Sequence, residues 1–277
     1  MLSGQCGVGV TGQGNQRKMS TLPAFPYNTG MTYPRFYCPL PLPVGATVDL
    51  PENAARHACR ALRLREGDEL VLFDGNGGEY FCRILTAARD AVAATVLRWD
   101  QVERESNVPV TLVQSLQAGD KMDTTVQKAV ELGVARIVPV AARRSVLKLA
   151  GDRATRRVEH WRAITASACE QCGRNRLPPV GDIVELGRWL KNPTGGPNLR
   201  LLLAPGATDS LAQLEPPAEG GGVELLIGPE GGLAPEEMDL AEAAGFRAVR
   251  FGPRVLRTET AGMAALAAIQ ALWGDFR

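Results

Sequence analysis

Short apolar runs alternate with longer amphipathic stretches through the second half of the chain. The runs are rich in β-branched residues and end at glycine, proline or charged residues, as buried strands do, while the stretches repeat apolar residues at helical spacing. The predicted order is strand 110–116, helix 121–132, strand 136–140, helix 154–169, strand 199–204, strand 223–227, helix 235–244, strand 248–251 and helix 258–272. Such alternation favours an α/β domain with a parallel sheet covered by helices on both faces.

The first hundred residues follow a different pattern, in which short strand-like segments dominate. We predict strands at 33–38, 46–50, 68–73, 78–85 and 91–99, with one helix near 53–64. The polar segment 101–107 fits a domain boundary. Residues 1–30 are rich in Gly, Gln, Asn and Ser without periodicity, which is typical of a disordered extension or of translation from an upstream start codon. The predicted division is an extension at 1–30, a β-rich domain at 31–103 and an α/β domain at 104–277.

Two loops rich in glycine and proline directly follow two of the predicted strands. Gly228–Gly232 comes after the apolar run 223–227, and Gly252–Thr260 comes after 248–251. In open α/β sheets, ligands bind beyond the carboxyl ends of the strands, where loops and helix N-termini converge. Tight turns that bind nothing also use glycine and proline, but they do not need Arg254, Arg257 and Glu259. The two loops are therefore the candidate ligand site.

Charge is distributed unevenly, although the formal net charge of the 277 residues is only +1. The segment from Arg143 to Arg176 contains nine Lys or Arg residues and three acids, whereas Pro205–Gly245 contains nine acids and no Lys or Arg. In the predicted N-terminal helix, Arg56, Arg60 and Arg63 share one face. A basic surface of this kind suits a polyanion, although a charged face is more commonly just solvated.

Several familiar chemistries are disfavoured. Gly7, Gly9 and Gly12 fit G-x-G-x-x-G, but no strand precedes them, so a dinucleotide site is not expected. No P-loop or G-x-S-x-G motif occurs. Cys169 and Cys172 form a CxxC pair without a second pair to complete a zinc site, and we expect a reduced, partly buried pair rather than a metal ligand set. No run approaches the ~20 apolar residues of a membrane span, and we expect a cytoplasmic protein that binds no membrane and no metal.

The C-terminal loops resemble the motifs of the 16S ribosomal RNA uridine N3-methyltransferases, the small-subunit methyltransferase E family of the SPOUT superfamily. The resemblance covers about residues 31–277. It is carried by LLIGPEGGL at 225–233, GPRVLRTETA at 252–261, GDKMDTTVQKAVELGV at 119–134, ACEQCGRN at 168–175, PRFY at 34–37 and LFDG at 72–75.

The resemblance implies a fold and an activity that periodicity does not reveal. The fold is a SPOUT-type trefoil-knotted α/β domain preceded by a smaller PUA-like β-barrel domain that binds RNA. The activity is transfer of a methyl group from S-adenosylmethionine to N3 of one uridine, conventionally numbered 1498, in 16S rRNA of an assembled small subunit. The implied assembly is a homodimer whose second subunit completes the cofactor pocket.

The resemblance also implies site residues. Cofactor contacts are expected from loop backbone at Leu203, Ala204, Pro205, Ile227, Gly228, Gly231, Gly232, Phe251, Gly252, Leu256 and Thr258. RNA contacts are expected from Arg35, Arg60, Arg63, Arg65, Lys121, Gln171, Arg174, Asn175 and Arg254.

Methylation at N3 requires loss of the N3 proton, with negative charge spreading onto O2 and O4 of the ring. Arg257, and secondarily Arg254, can donate hydrogen bonds to those oxygens. Glu230 or Glu259 can accept the proton or orient a water, and each has an alternative structural role in its loop or helix, so the base stays open. Two other hypotheses remain: a non-catalytic RNA-binding or ribosome assembly protein, and a methyltransferase that modifies another base.

Overall fold

The computed structural model describes Met1 and residues 33–88, 90–147, 149–191 and 199–276. Apart from Met1, the extension expected at 1–30, with its G-x-G-x-x-G sequence, lies outside these residues.

A five-stranded sheet forms the N-terminal part. Its strands are β1 (Arg35–Tyr37), β2 (Thr47–Asp49), β3 (Glu69–Phe73), β4 (Glu79–Ala88) and β5 (Ala91–Asp100). The order is β1-β3-β4-β5-β2, with β1 parallel to β3 and the other pairs antiparallel. Helix α1 (Glu52–Arg56) continues as a π-helical turn, His57–Ala61. All five predicted strands are present, and the predicted helix is confirmed, although it begins and ends slightly earlier.

A six-stranded, fully parallel sheet forms the C-terminal part. Its strands are β6 (Val110–Ser115), β7 (Val134–Ala141), β8 (Val184–Glu185), β9 (Leu199–Leu203), β10 (Val223–Ile227) and β11 (Arg247–Val249), in the order β11-β9-β10-β6-β7-β8. The helices are α2 (Lys121–Glu131), α3 (Asp152–Cys172), α4 (Leu186–Lys191), α5 (Pro235–Ala243) and α6 (Thr258–Leu272).

Helices cover both faces of the parallel sheet. Leu225 of β10 packs in a core with Trp161 of α3 and Ile269 of α6, whereas its neighbour Leu226 packs on the opposite face with Trp189 of α4. Successive strand residues point to opposite faces, so a strand buried on both sides is largely apolar. The exception in β10 is Glu224, which is paired with Arg200 Nε at 2.8 Å. Complete burial of each such leucine stabilises the fold by about 1.5–3 kcal/mol.

The α/β prediction is therefore confirmed, with local differences. The strand predicted at 248–251 ends at Val249 instead, and Phe251 lies in the loop beyond it. Strand β8 and helix α4 were not predicted. Among the described residues, no helix combines the length and hydropathy needed to cross a membrane.

A buried polar cluster joins the two sheets. We call it the connecting network, and its members are Arg35, Glu79, Arg104, Glu105, Arg174 and Asn175. Arg35 Nη1 donates to Glu79 Oε2 at 2.7 Å, and Arg35 Nη2 donates to Asn175 Oδ1 at 2.5 Å. Asn175 Nδ2 donates to the carbonyl of Val102 at 2.6 Å.

The guanidinium of Arg174 binds one carboxylate and two backbone carbonyls in this network. Its Nη1 donates to the carbonyls of Val130 and Val134 at 3.0 and 2.9 Å, and its Nε donates to Glu105 Oε1 at 3.0 Å. The expectation that Arg174 and Asn175 contact RNA needs correction, because they are 4% and 0% exposed and their polar groups bind protein. Both terminal nitrogens of Arg35 also bind protein, and its side chain is 12% exposed, although its Nε is buried without a hydrogen-bond partner among the described residues.

Candidate active site

A cavity of about 530 Å³ opens beyond the carboxyl ends of β9, β10 and β11. Its walls come mainly from three segments: 202–205 after β9, the loop 227–233 after β10, and 249–259, which links β11 to α6. Lys121, at the start of α2, and Met238, on α5, complete the lining. The position and size are those of a small-molecule site in an open α/β sheet.

Glycines shape the loop after β10. Gly232 has φ +67°, a backbone conformation that other residues adopt only with strain. A Cβ on Gly228 would lie 3.3 Å from Leu233 Cγ, so the turn is tight there. The Glu237 carboxylate accepts hydrogen bonds from the backbone N–H groups of Ala234 and Arg143, both within 3 Å. The loop is therefore fixed by its own turn and by the start of α5.

The second loop is anchored where β11 ends. The carbonyl of Asp209 accepts a hydrogen bond from the Arg250 N–H at 2.8 Å, and its carboxylate accepts one from Arg247 Nε at 2.6 Å. Gly252, at φ +66°, then turns the chain toward α6. Since α6 begins at Thr258, the first turn of a helix borders the cavity and favours negative charge there.

Charged side chains gather at the rim of the cavity. Lys121 Nζ lies 3.4 Å from Glu230 Oε1 and 3.7 Å from Glu259 Oε1, so one ammonium group bridges two carboxylates. The other oxygen of Glu259, Oε2, is buried and has no hydrogen-bond partner. Within the described ranges, the Arg257 guanidinium also has no polar partner, although it lines the cavity. The rim therefore offers a spare buried acceptor and a spare cationic donor.

Most of the site residues predicted from the sequence line this cavity. All three proposed catalytic residues, Glu230, Arg257 and Glu259, line it, and so does Arg254. Of the eleven residues expected to contact a cofactor, ten lie in the wall: Leu203, Ala204, Pro205, Ile227, Gly228, Gly232, Phe251, Gly252, Leu256 and Thr258.

Gly231 is the exception among the expected cofactor residues. It is not part of the cavity wall; a Cβ there would lie 3.3 Å from the Cβ of Arg144, whose Nη1 donates to the Gly231 carbonyl at 3.2 Å. The density of glycine in the motif pointed to Gly231, but the turn directs this residue toward the loop after β7.

Seven wall residues, all apolar, were not named individually from the sequence, although two of them, Pro229 and Val255, lie within the predicted loops. The seven are Leu202, Pro229, Leu233, Met238, Val249, Val255 and Ala261. Leu233 and Pro229 belong to the same GPEGGL motif, so the loop itself was the available signal. Met238 lies on α5, and no pattern in the sequence distinguishes it from an ordinary core residue.

The other residues expected to bind RNA lie apart from the cavity. Arg60 forms an exposed ion pair with Asp90 at 2.5 Å, while Arg63 is exposed at the left-handed φ of +56°. Arg65 and Gln171 are also exposed. Lys121, another of the residues expected to contact RNA, lies at the cavity rim between Glu230 and Glu259.

The CxxC pair ends α3, outside the cavity wall. A hydrogen bond from Cys169 is the main reason that the pKa of Cys172 is lowered to about 6. Burial acts in the opposite direction, and the neighbouring Arg174 lowers the pKa further. The same hydrogen bond, together with burial, raises the pKa of Cys169. Both cysteines are free in the structure, consistent with the expected reduced pair.

Comparison with known proteins assigns this chain to a family. Residues 104–270 match the family model described as RNA methyltransferase domain, and residues 50–97 match the RNA methyltransferase PUA domain. A ribosomal RNA small subunit methyltransferase E of Mycobacterium bovis is 34% identical over 82% of this chain and 87% of its own length.

Two solved structures share the whole architecture. One is a ribosomal RNA small subunit methyltransferase E from Neisseria gonorrhoeae bound to S-adenosyl methionine, with 42% identity and a TM-score of 0.82. The other is a putative methyltransferase from Legionella pneumophila in complex with the cofactor SAM, with 34% identity and a TM-score of 0.84. In both comparisons, the matched region spans 89% of this chain and 100% of the solved structure's chain. This chain is therefore an RNA methyltransferase and belongs to the ribosomal RNA small subunit methyltransferase E family.

Proposed function

We propose that this enzyme transfers the methyl group of S-adenosylmethionine to N3 of a uridine in 16S rRNA, at the position conventionally numbered 1498. The observation that carries the proposal is the cavity beyond β9, β10 and β11. At its rim, the Arg257 guanidinium and Glu259 Oε2 have no polar partner within the described ranges. The names of the relatives indicate which class of RNA is methylated. The resemblance of the sequence motifs to the family implies which base is methylated.

The wall of the cavity fits S-adenosylmethionine. Backbone from 203–205, 227–232 and 251–258 would hold it against the apolar side chains of Leu203, Ile227 and Leu256. An orphaned buried carboxylate oxygen, Glu259 Oε2, suits a cationic or N–H-bearing ligand. When bound, S-adenosylmethionine supplies a methyl group that its sulfonium already makes electrophilic.

The remaining task of the protein is to stabilise the uracil anion and align it. The guanidinium of Arg257 is free to donate to O2 or O4 of the ring as negative charge develops there. Because its donors are not bound to protein, no internal hydrogen bond has to break first. Arg254 lines the same cavity and is the secondary cation.

Glu259 is the better candidate for the N3 proton acceptor. Both Glu230 and Glu259 contact Lys121, but only Glu259 keeps a buried oxygen without a partner. Its side chain is 18% exposed, compared with 29% for Glu230, so it lies deeper in the site. Glu230 then acts through Lys121, which holds the two carboxylates in place.

The proposal extends to architecture and assembly. It includes a trefoil knot in the C-terminal domain, closure of the N-terminal sheet into a PUA-like barrel, and a homodimer that completes the cofactor pocket. The parallel sheet, the match to a PUA domain and the family membership support it. The proposed substrate, 16S rRNA in an assembled small subunit, is cytoplasmic, and we expect the enzyme there.

Mass spectrometry of 16S rRNA tests the activity directly. Deletion of the gene should remove 3-methyluridine from one position, and expression of the wild-type chain, but not of Arg257→Ala, should restore it. Retention of 3-methyluridine with loss of another modified base would show a different target. An unchanged modification pattern would favour a non-catalytic role.

Purified components separate substrate from context. The enzyme should methylate small subunits isolated from the deletion strain and should leave wild-type subunits, which already carry the mark, unmodified. Equal activity on naked 16S rRNA would overturn the requirement for an assembled subunit.

A further inference from the structure

A second, larger cavity lies between the two sheets and shares no wall residue with the active-site cavity. We call it the interdomain groove. Its volume is about 780 Å³, and its walls include Pro39, Pro51, Asn53 and His57 from the N-terminal part, and Ser167 and Pro178 from the C-terminal part. No step of the proposed reaction uses it.

Hydrogen bonds hold the walls of the groove in a fixed geometry. Glu170 of α3 accepts the backbone N–H of Tyr37 at 2.9 Å, and burial raises the pKa of this carboxyl group. Arg162 donates twice to the carbonyl of Val180, at 3.2 and 3.1 Å, which fixes the far wall to α3. A preformed site binds without first ordering its own side chains.

The surface of the groove combines flat apolar area with unused hydrogen-bonding groups. Proline and alanine provide much of the wall. In the part of the chain that the structure describes, the side chains of Asn53, His57 and Ser167 make no hydrogen bond. An amide, an imidazole and a hydroxyl beside a flat apolar wall are suited to an unstacked nucleobase, which presents an apolar face and a polar edge.

Both segments that border the groove are rich in arginine, with four in residues 52–65 and four in residues 152–162. Four of these arginines form ion pairs with acids: Arg56, Arg60, Arg157 and Arg162. In the described part of the chain, the other four have no ion-pair partner: Arg63, Arg65, Arg153 and Arg156. Arg156 lies two turns before Ala163 on the same stripe of α3, so it extends the groove wall toward solvent. Arginines flanking an apolar slot are the arrangement that binds a phosphate backbone around an inserted base.

We propose that the interdomain groove binds an unpaired nucleotide of the RNA substrate, away from the uridine that is methylated. This inference rests on the proposed function for the identity of the RNA. The nucleotide's base lies against the apolar wall and hydrogen bonds to Asn53, His57 or Ser167, while its phosphates face the arginines. The groove thereby fixes the position of the RNA relative to the active site.

Filling the groove tests the proposal. Ser167 is exposed on α3 and lines the groove, so Ser167→Trp occupies it without repacking the core. Thr155→Trp is the control, because Thr155 is exposed on the same helix outside the groove. We expect Ser167→Trp to weaken binding of a single-stranded oligoribonucleotide of mixed sequence by about tenfold, the contribution of one stacked base. Calorimetric affinity for S-adenosylmethionine should stay unchanged in both variants.

Crosslinking identifies the occupant. With a benzophenone amino acid at position 167, the enzyme mixed with small ribosomal subunits should crosslink to RNA, and with the same group at position 155 it should not. Crosslinks to protein, an altered oligomeric state of Ser167→Trp, or wild-type RNA affinity of that variant would each overturn the proposal. If wild-type enzyme fails to methylate subunits while Ser167→Trp still weakens RNA binding, the proposed function fails and the groove inference stands.

Discussion

The active-site rim and the connecting network are built from the same residue types but differ in how their polar atoms are used. In the network, the Arg174 guanidinium binds a carboxylate and two carbonyls and is almost fully buried. At the rim, Arg257 is exposed and Glu259 keeps a buried oxygen, and neither group has a partner among the residues that the structure describes. The contacts of Arg174 hold the protein together, whereas the unpaired groups of Arg257 and Glu259 line a cavity and are available to a ligand.

The two regions also differ in what their charges do to stability. A buried charge is tolerated only when hydrogen bonds and an opposite charge replace its water, as around Arg174. An unpaired buried acceptor such as Glu259 Oε2 leaves that replacement incomplete until a ligand arrives. Mutations in the network should therefore lower stability, and mutations at the rim should lower activity.

The largest expected effect is on stability, from Arg174→Met. Removal of the guanidinium leaves the Glu105 carboxylate and two backbone carbonyls without their donor, which costs about 3–5 kcal/mol of unfolding free energy. Urea denaturation of the purified protein measures this loss. Arg176→Met is the matched control: its ion pair with Glu103 is largely exposed, with side chains 54% and 34% accessible, and should contribute about 0–1 kcal/mol. Near-wild-type stability with weakened RNA binding in Arg174→Met would restore the RNA role.

The next effect is on catalysis, from Arg257→Ala. Loss of one donor to a developing oxyanion lowers the rate by roughly 10²- to 10³-fold. Single-turnover methylation of small subunits measures the rate, and calorimetry should show that S-adenosylmethionine still binds. Arg254→Ala, in the same loop, should slow the reaction less. An unchanged single-turnover rate in Arg257→Ala would remove this residue from the chemistry.

A smaller effect is expected from Lys121→Met, which leaves Glu230 and Glu259 facing each other without a cation. Because the lysine is partly exposed, the loss should be about fivefold in kcat, corresponding to at most about 1 kcal/mol. Lys121→Arg should recover most of it. A rise in KM for the subunit with unchanged kcat would instead assign Lys121 to RNA binding, as the sequence suggested.

The smallest effect is a shift in thiol reactivity beside the network. With a pKa of about 6, Cys172 should be thiolate at neutral pH, so its alkylation by iodoacetamide should be half-maximal near pH 6 and level off above. Peptide mass spectrometry separates it from the other cysteines. Cys169→Ala removes the main hydrogen bond and should move the midpoint upward. Cys82, whose burial raises its pKa to about 12, is the unreactive reference. A midpoint near the ordinary thiol range in wild type would contradict the prediction.

The elements that build the cavity were predictable because their signals are local. Strand β10 and helix α6 begin and end at the predicted residues. In β10, four of five buried positions are apolar and the run ends at a glycine, and in α6 a long helical repeat starts after a loop. The loops that follow strands then identified most of the cavity wall. Strand β8 and helix α4 carry no such signal, because two and six residues are too few to show a period.

The roles of individual charged residues were harder to predict, because their partners are distant in sequence. Arg174 meets Glu105 across 69 positions, and Asn175 meets Glu79 across 96. Nothing within the CGRN motif distinguishes an arginine that will be buried from one that will face RNA. The ion pairs of Lys121 were not predicted for the same reason, since its two acids lie in the last fifty residues of the chain.

The strand order of the parallel sheet has a consequence for how the enzyme is made. β6 pairs with β10, and between them in sequence lie β7, β8, β9 and helices α2 to α4. Pairings of such wide sequence separation form slowly, and chains emerge from the ribosome with the N-terminal part first. The N-terminal sheet can therefore fold early, while the cavity can form only after α6 has left the exit tunnel. A nascent chain acquires its PUA domain before it has a catalytic site.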